Sequence, residues 1–248
     1  MQRRNTGKSA SRRHAAPATD SLTAVAHDIV ACSRCPRLRR YCETIARTKR
    51  RAYRAQEYWG KPVPGFGGAA ARLWILGLAP AAHGANRTGR MFTGDSSGDW
   101  LYAAMHDTGF ARLPTSTARD DGQRLTDAYI SAIVRCAPPD NKPALGEIRT
   151  CADFLTREFA ALRHLEVLLC LGALAFTAAL RLLDGAGVAL PRPRPRFAHG
   201  AEFHLHREPH QRPLVLLASY HPSRQNTQTG RLTRPMWHAI FTRARALL

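Results

Sequence analysis

Acidic residues are scarce in this sequence of 248 residues. The 18 Asp and Glu residues stand against 37 Lys and Arg residues, which gives a formal net charge of +19 and a pI near 11.0. The acids are scattered along the chain, so the carboxylate cluster that a metal-dependent nuclease needs is missing. The charge disfavours an enzyme of small cationic metabolites and favours a polyanionic partner, with nucleic acid as the first candidate.

Long hydrophobic runs are missing as well. The longest uncharged apolar stretch, residues 167–180, has fourteen residues and is too short to span a bilayer. No apolar signal-peptide core follows the basic start of the chain, so we expect a cytoplasmic protein with no membrane partner and with reduced cysteines. An arginine-rich, acid-poor start is also typical of an organelle transit peptide, which is the alternative interpretation.

The hydrophobic content is sufficient for a folded core. It amounts to 44% of the residues and includes four Trp, six Tyr and nine Phe. Residues 1–20 carry five basic residues against one acid and offer little to bury, which predicts a disordered basic arm. We expect residues 21–248 to form a single domain.

Four short apolar runs, residues 73–78, 129–134, 167–171 and 214–219, are typical of buried strands. A basic segment at 37–61 and a Pro/Gly-rich surface loop at 62–68 precede them. Helical patterns begin at Ser21 and occupy residues 98–108, 150–163, 173–183 and 234 onward. This alternation predicts an α/β fold of three layers, α/β/α, around a mostly parallel four-stranded sheet. Ligands bind at the carboxyl ends of such strands, so the segments that follow the runs form the candidate site.

Four of the six cysteines have settings suited to metal ligation. They are Cys32 and Cys35 in a C-x2-C pair, Cys136 at the start of a loop, and Cys151 at a predicted helix start. Four thiolates could close a tetrahedral shell around zinc or hold one iron–sulfur cluster. A C-x2-C pair is also found as a redox pair or as buried small residues. Cys42 and Cys170 lack a comparable setting, and Cys170 is predicted to lie in the core.

Each of the other candidate side chains has a structural interpretation beside a functional one. Asp95 precedes a predicted helix, where an N-cap is the ordinary role. His83 and His221 follow strands, where a histidine is commonly a hydrogen-bonded loop residue. Phe92 would ordinarily belong to the core.

Three blocks of the sequence together carry a resemblance to a known family. They are GLAPAAHGANRTGRMFTGDSSG at 77–98, SYHPS at 219–223, and the set of four cysteines. From residue 32 to about residue 237 the chain resembles the uracil-DNA glycosylase superfamily, and within it the iron–sulfur-containing family five, the UDGb type of bacteria and archaea.

The resemblance implies a monofunctional DNA N-glycosylase of base excision repair that needs no metal for its chemistry. Such an enzyme flips a deaminated base out of DNA and hydrolyses its bond to deoxyribose, leaving an abasic site. The four cysteines would then carry a structural [4Fe-4S] cluster, which replaces zinc as the expected group. We expect a monomer at the bacterial nucleoid. The alternative is a nonenzymatic nucleic-acid-binding module with a four-cysteine zinc site, which would leave the first block unexplained.

The resemblance also assigns two catalytic roles. His221 would donate a hydrogen bond to the base carbonyl as the departing base becomes an anion. Asp95 would serve as general base for water or as electrostatic partner of the cationic sugar, and its place near a helix N-terminus should keep it ionised. The residues expected to hold the base are Gly77, Leu78, Ala79, Phe92 and Asn141. The residues expected to contact DNA are Arg87, Arg90, Ser223, Arg224 and Arg231.

Two positions depart from the pattern of the superfamily. Ala79 stands where relatives often carry a polar residue, so this position cannot activate water. Ala132 stands where the neighbouring iron–sulfur family carries an Asn that reads the edge of uracil, and its loss should broaden base selectivity. Family five is associated with hypoxanthine and other damaged bases, and we include ethenocytosine among the expected substrates. The segment 224–233 corresponds to the place where the superfamily inserts a residue into the duplex.

Overall fold

The computed structural model describes residues 21–206 and 213–248, so the predicted arm at 1–20 lies outside the described residues. The helices are α1 Leu22–Ala31, α2 Pro36–Thr48, α3 Ala85–Thr88, α4 Ser96–Asp107, α5 Leu145–Ala161, α6 Ala173–Gly185, α7 Arg224–Gln228 and α8 Arg234–Ala246. The strands are β1 Phe66–Gly67, β2 Leu73–Gly77, β3 Ala128–Ala132, β4 Val167–Leu171, β5 Glu202–Leu205 and β6 Leu214–Ser219. None of the described helices is long and apolar enough to cross a membrane.

The sheet has six strands in the order β1-β3-β2-β4-β6-β5. The four central strands pair in parallel, as predicted, whereas β1 and β5 pair antiparallel at the two edges. The expected count of four strands is therefore corrected to six. The edge strands escaped notice because they are short and mostly not fully buried, so neither produces an apolar run.

Side chains of the central strands alternate between two cores, which explains why these strands are apolar on both faces. On β2, Trp74 and Leu76 belong to the core that α2, α5 and α6 cover. Leu73 and Ile75 point to the opposite core, which α4 and α8 cover. The predicted three-layer α/β/α architecture is therefore confirmed.

Two helix assignments differ from the sequence prediction. The basic segment 37–61 contains the helix α2, whose inner face buries Leu38 and Cys42; its few apolar positions are diluted by arginines, which concealed the pattern. Helix α5 begins at Leu145 rather than near residue 150. Cys151 therefore lies inside this helix, and its predicted position at a helix start is wrong.

A buried ion pair joins β3 to α5 and so fixes the segments that carry Cys136 and Cys151. Glu158 on α5 is fully buried and accepts hydrogen bonds from Tyr129 Oη at 2.7 Å, Ser131 Oγ at 2.9 Å and Arg135 Nη2 at 2.5 Å. Because three donors satisfy this carboxylate, its charge is stabilised inside the protein.

Candidate active site

A cleft of about 1280 Å³ opens at the carboxyl ends of the parallel strands. Its walls come from the segments after β2, β3, β4 and β6, as expected for a doubly wound sheet. The structure brings most of the predicted site residues to this cleft. Those lining it are Leu78, Ala79, Arg87, Phe92, Asp95, Asn141, His221, Ser223 and Arg224.

An aromatic pair forms one part of the cleft. The ring centroids of Phe92 and His221 are 5.8 Å apart, with an angle of 31° between the ring planes. Gly77 lies beneath this pair, and a Cβ atom there would come within 2.9 Å of Phe92 Cζ. A residue larger than glycine would therefore displace the ring. Phe92 is 9% exposed, so its core and cleft-lining interpretations both hold.

Asp95 is both a helix cap and a cleft residue. Its Oδ1 atom accepts hydrogen bonds from the backbone N–H groups of Ser97 and Gly98, each at 3.0 Å, which caps α4. Its Oδ2 atom packs against Gly84, where a Cβ atom would collide with it. Since the cap uses Oδ1 alone, Oδ2 is the oxygen left for chemistry.

The pKa of Asp95 is raised by burial, which disfavours the charged carboxylate. The backbone N–H groups of Gly98 and Ser97 act in the opposite direction, as does the positive charge of Arg87. The sequence argument considered only the stabilising effect of the helix start, which reduces the effect of burial without cancelling it.

Burial lowers the pKa of His221 to about 4, so its imidazole is neutral at pH 7. A neutral imidazole has one N–H donor, as a hydrogen bond to a base carbonyl requires. The backbone oxygen of His221 accepts from Asn226 Nδ2 at 2.8 Å. Ser97 Oγ donates to the backbone oxygen of Pro222 at 3.1 Å, so the start of α4 is tied directly to the histidine segment.

The sequence analysis missed one wall of the cleft, which residues 50–58 help to form. Tyr53 and Arg50 line it, and Tyr58 Oη is 3.1 Å from His83 Nδ1. The pKa of His83 is lowered by burial and by the positive charges of Arg50 and Arg87. Aromatic residues interleaved with arginines were the available signal, because this pattern is common in nucleic-acid-binding surfaces.

Arg87 and Arg90 were expected to contact DNA, and in the structure both guanidinium groups make hydrogen bonds within the protein. Arg90 is 4% exposed and pairs with Asp121 at 2.5 Å. Arg87 is 7% exposed and donates to the backbone oxygens of His83 at 2.7 Å and Gly94 at 2.9 Å. Both guanidinium groups hold the first motif in shape, and Arg87 also lines the cleft. Contact of these two arginines with DNA stays a prediction.

The other residues expected at the DNA interface lie at the surface around the cleft. Ser223 caps α7 by accepting from the backbone N–H of Asn226 at 3.4 Å. Arg224 is exposed and lines the cleft, whereas Arg231 is exposed and lies over the Tyr220 ring at 4.6 Å. These positions suit phosphate contacts around a nucleotide that enters the cleft.

The four predicted cysteine ligands come together from three parts of the chain. The pKa of Cys35 is raised by burial and then by the nearby Cys136, Glu147 and Cys32. Burial raises the pKa of Cys151 to about 12, and Cys136 and Cys35 contribute to this shift. Cys35 and Cys136 therefore lie within electrostatic reach of Cys151, and Cys32 lies within reach of Cys35.

Cys42 and Cys170 have different surroundings. Cys42 Sγ donates to the backbone oxygen of Ala137 at 3.6 Å, and the neighbouring Cys136 lowers the pKa of Cys42. Cys42 therefore lies beside the cysteine set, although no sequence pattern indicated this. Cys170 lies in β4 and is fully buried, as the sequence analysis expected of a core residue.

Unpaired arginine donors are found at the same place. Nε and Nη1 of Arg135 and Nη1 of Arg39 are buried and have no hydrogen-bond partner among the described residues. The charge of Arg135 acts on Cys151, and that of Arg39 acts on Cys136. Buried donors are rarely left unpaired, so an electron-rich group between the cysteines fits this site. In the described part of the chain, no three His, Cys, Asp or Glu side chains are arranged to hold a single metal ion.

Comparison with known proteins identifies the class of protein that has this fold and cleft. The model of the Uracil DNA glycosylase superfamily matches residues 64–244, so the chain belongs to this superfamily. The Type-5 uracil-DNA glycosylase of Mycobacterium bovis is 49% identical over 220 residues, which cover 88% of this chain and 79% of the relative. The enzyme of the same name from Thermus thermophilus is 46% identical over 219 residues, covering 88% and 94%.

A Type-4 enzyme is a more distant relative of this chain. The Type-4 uracil-DNA glycosylase of Archaeoglobus fulgidus is 30% identical over 123 residues, which cover 49% of this chain and 54% of the relative. The chain is thus a type-5 member of the superfamily, which confirms the family indicated by the sequence motifs.

Proposed function

We propose that this chain is a DNA repair glycosylase that hydrolyses the N-glycosidic bond of uracil in DNA and leaves an abasic site. One observation carries the proposal: a neutral His221, the Phe92 ring and the Asp95 carboxylate line a single cleft in a chain of this superfamily. The names of the type-5 relatives and the net charge of +19 agree with it.

A base in duplex DNA must leave the stack to reach this cleft. Extrusion costs a few kcal/mol and costs least for a mispaired base such as uracil opposite guanine. Phe92 presents an aromatic face on which a flipped base can stack, and Gly77 leaves room for that ring. Phosphate contacts from exposed basic residues such as Arg224 offset the cost of extrusion.

Breaking the C–N bond creates two charges, one on each fragment. The sugar becomes cationic, as in glycoside hydrolysis generally, and the base leaves as an anion. The neutral His221 donates a hydrogen bond to the base carbonyl oxygen, and this bond strengthens as negative charge grows there. Asp95 Oδ2 stabilises the cationic sugar or accepts the proton of the water that attacks it.

An excision panel tests this function directly. The panel contains uracil, hypoxanthine and ethenocytosine, each in single-stranded and duplex DNA, with excess chelator present to exclude a dependence on free metal ions. Release of uracil with an abasic product supports the proposal. Binding of DNA without release of any base would favour the nonenzymatic binding module instead.

We further propose that the substrate range extends to hypoxanthine and ethenocytosine. Ala79 lines the cleft and Ala132 ends β3, so neither position offers a polar side chain that would reject another base. Asn141 lies at the cleft with a left-handed φ of 56°, and it could supply part of the missing edge contact. We also propose that the enzyme acts as a monomer at the nucleoid, where its net charge of +19 favours association with DNA.

The pH dependence should separate the two catalytic residues. Asp95 works as an anion, so the single-turnover rate should fall as the pH drops through its pKa, which burial raises above the usual value. His221 has a pKa of about 4 and stays neutral over the higher part of this range. Rates measured from pH 4 to pH 8 should therefore show an acid limb that Asp95→Asn removes. An acid limb near pH 6.5 that persists in this variant would instead indicate a titrating histidine.

We propose that Cys32, Cys35, Cys136 and Cys151 hold a structural [4Fe-4S] cluster. Their mutual electrostatic influence and the unpaired donors of Arg39 and Arg135 support this assignment. When bound, the cluster would link α1, α2, α5 and the loop after β3.

Cysteine variants should distinguish ligands from neighbours. Cys136→Ser should lose iron, brown colour and folding stability, because a ligand of the cluster is removed. Cys170→Ser should keep its iron, and Cys42→Ser is the stricter control because Cys42 touches Cys136 without belonging to the proposed set. Iron content and visible absorption measure the outcome. If Cys42→Ser lost its iron and Cys136→Ser kept it, Cys42 would be the ligand and Cys136 the neighbour.

A further inference from the structure

Two large apolar side chains are markedly exposed in the described part of the chain. Leu145 is 64% exposed at the start of α5, and Leu174 is 50% exposed in the first turn of α6. Of these two, Leu174 lines the cleft whereas Leu145 does not. A single exposed leucine is ordinary on a protein surface, so it is the position of Leu174 at the cleft that distinguishes it from Leu145.

The junction between β4 and α6 brings Leu174 close to the catalytic histidine. Gly172 has a left-handed φ of 97°, and a Cβ atom on it would lie 3.6 Å from His221 Cβ. Leu174 follows two residues later, on the first turn of the helix. Leu174 and His221 line the same cleft, which a nucleotide leaving the duplex would enter.

The segment expected to enter the duplex offers no exposed apolar side chain for this purpose. Residues 224–228 form the short helix α7, whose side chains are all polar. The large apolar residue of the segment 224–233, Leu232, is 1% exposed and its backbone N–H bonds to the oxygen of Asn226 at 2.9 Å. The position of a wedge must therefore be sought elsewhere on the rim.

A gap opens in the base stack when a nucleotide is extruded. Proteins that distort duplex DNA often insert Leu, Phe, Ile, Met or Pro between base steps, because an apolar side chain replaces part of the lost stacking. An exposed leucine suits this gap, since it is already outside the core and loses little by entering the duplex. Polar side chains from α7 can contact phosphates but replace stacking less well.

We propose that Leu174 is the apolar wedge, which enters the duplex from the β4–α6 rim and occupies the space that the flipped base leaves. This inference rests on the proposed glycosylase function. The wedge acts on duplex DNA alone, because a single strand has no stacked partner strand to hold the base in place. Leu174 thus determines how well the enzyme works on duplex substrates.

The test compares Leu174→Ala with Leu145→Ala, which removes an exposed leucine from another helix start, away from the cleft. Single-turnover excision of uracil is measured in duplex and in single-stranded DNA, together with the fluorescence of 2-aminopurine placed next to the uracil as a probe of unstacking. Leu174→Ala should lose about tenfold or more on duplex DNA, equivalent to part of the cost of unstacking one step, and almost nothing on single strands. Leu174→Phe should restore much of the duplex rate.

Three outcomes would overturn the wedge role. Equal losses on the two substrates would place Leu174 in base binding, equal losses in the Leu145 variant would indicate a general surface effect, and an unchanged duplex rate would remove Leu174 from the reaction. Failure of the wild-type chain to release uracil from either DNA would instead overturn the proposed function, so the two failures are distinguishable.

Discussion

Asp95→Asn is expected to lower the single-turnover rate of uracil excision by about 10²–10⁴-fold, the range usual for a lost general base. Affinity for uracil-containing DNA should stay nearly unchanged, because the carboxylate acts on charge that arises only in the transition state. Asparagine can still cap α4 through its side-chain oxygen, whereas Asp95→Ala removes the cap and about 1 kcal/mol of stability with it. The asparagine variant therefore isolates the chemical role of Oδ2.

His221→Ala provides the matched comparison. Its rate should also fall, but the loss should shrink for 5-fluorouracil, because a more stable leaving anion needs less help from a hydrogen-bond donor. Asp95→Asn should show no comparable recovery, since it serves the water or the sugar. Equal recovery in both variants would mean that the two residues share one role, and a near-normal rate in Asp95→Asn would leave Asp95 as a helix cap alone.

Affinity for DNA should fall by about three to five decades between 50 and 200 mM salt if six to ten phosphates are contacted. The net charge of +19 supplies the basic groups for these contacts, each of which releases counterions from the DNA. Binding measured by fluorescence anisotropy over a series of salt concentrations gives the slope. A shallow slope would contradict extensive phosphate contact.

Variants of two exposed arginines test where DNA binds, by the same measurement of salt dependence. Arg224 lines the cleft at the carboxyl ends of the parallel strands. Arg163 lies between α5 and β4, at the amino ends of these strands. Arg224→Ala should reduce the salt slope by about one and Arg163→Ala should leave it unchanged. If Arg163→Ala reduced the slope and Arg224→Ala did not, the DNA interface would lie at the amino ends of the strands.

Hydrophobic runs predicted the central strands of the sheet but not the elements at its edges and surface. The strands β4 and β6 match their predicted bounds because both faces are buried and nearly every residue of each run is apolar. The helix α2 was missed because arginines occupy most of its surface, and β5 was missed because it is only partly buried. A hydrophobic pattern is hard to recognise in a helix or strand that buries only a few of its residues.

The site residues were predictable where a sequence motif fixes the backbone geometry. They were less predictable where burial determines the direction of a side chain. Asp95, Phe92 and His221 meet at the cleft as the sequence indicated. The burial of the arginines in the first motif was not predictable, because a sequence does not reveal whether a guanidinium group points to solvent or, like that of Arg90, to an internal Asp121. The contribution of residues 50–58 depends on how a long connection folds back over the cleft, which no local pattern encodes.

The two antiparallel edge strands affect how the protein behaves at high concentration. An edge strand exposes unpaired backbone groups to which another chain can add, and short or charged edges prevent this. β1 has only two residues and is followed by Gly68, while β5 carries Glu202, which forms a two-bond ion pair with Arg243 of α8 at 2.7 and 2.8 Å. Neither border of the sheet is a good template for intermolecular pairing. The protein should therefore resist aggregation through strand exchange even when DNA brings many copies close together.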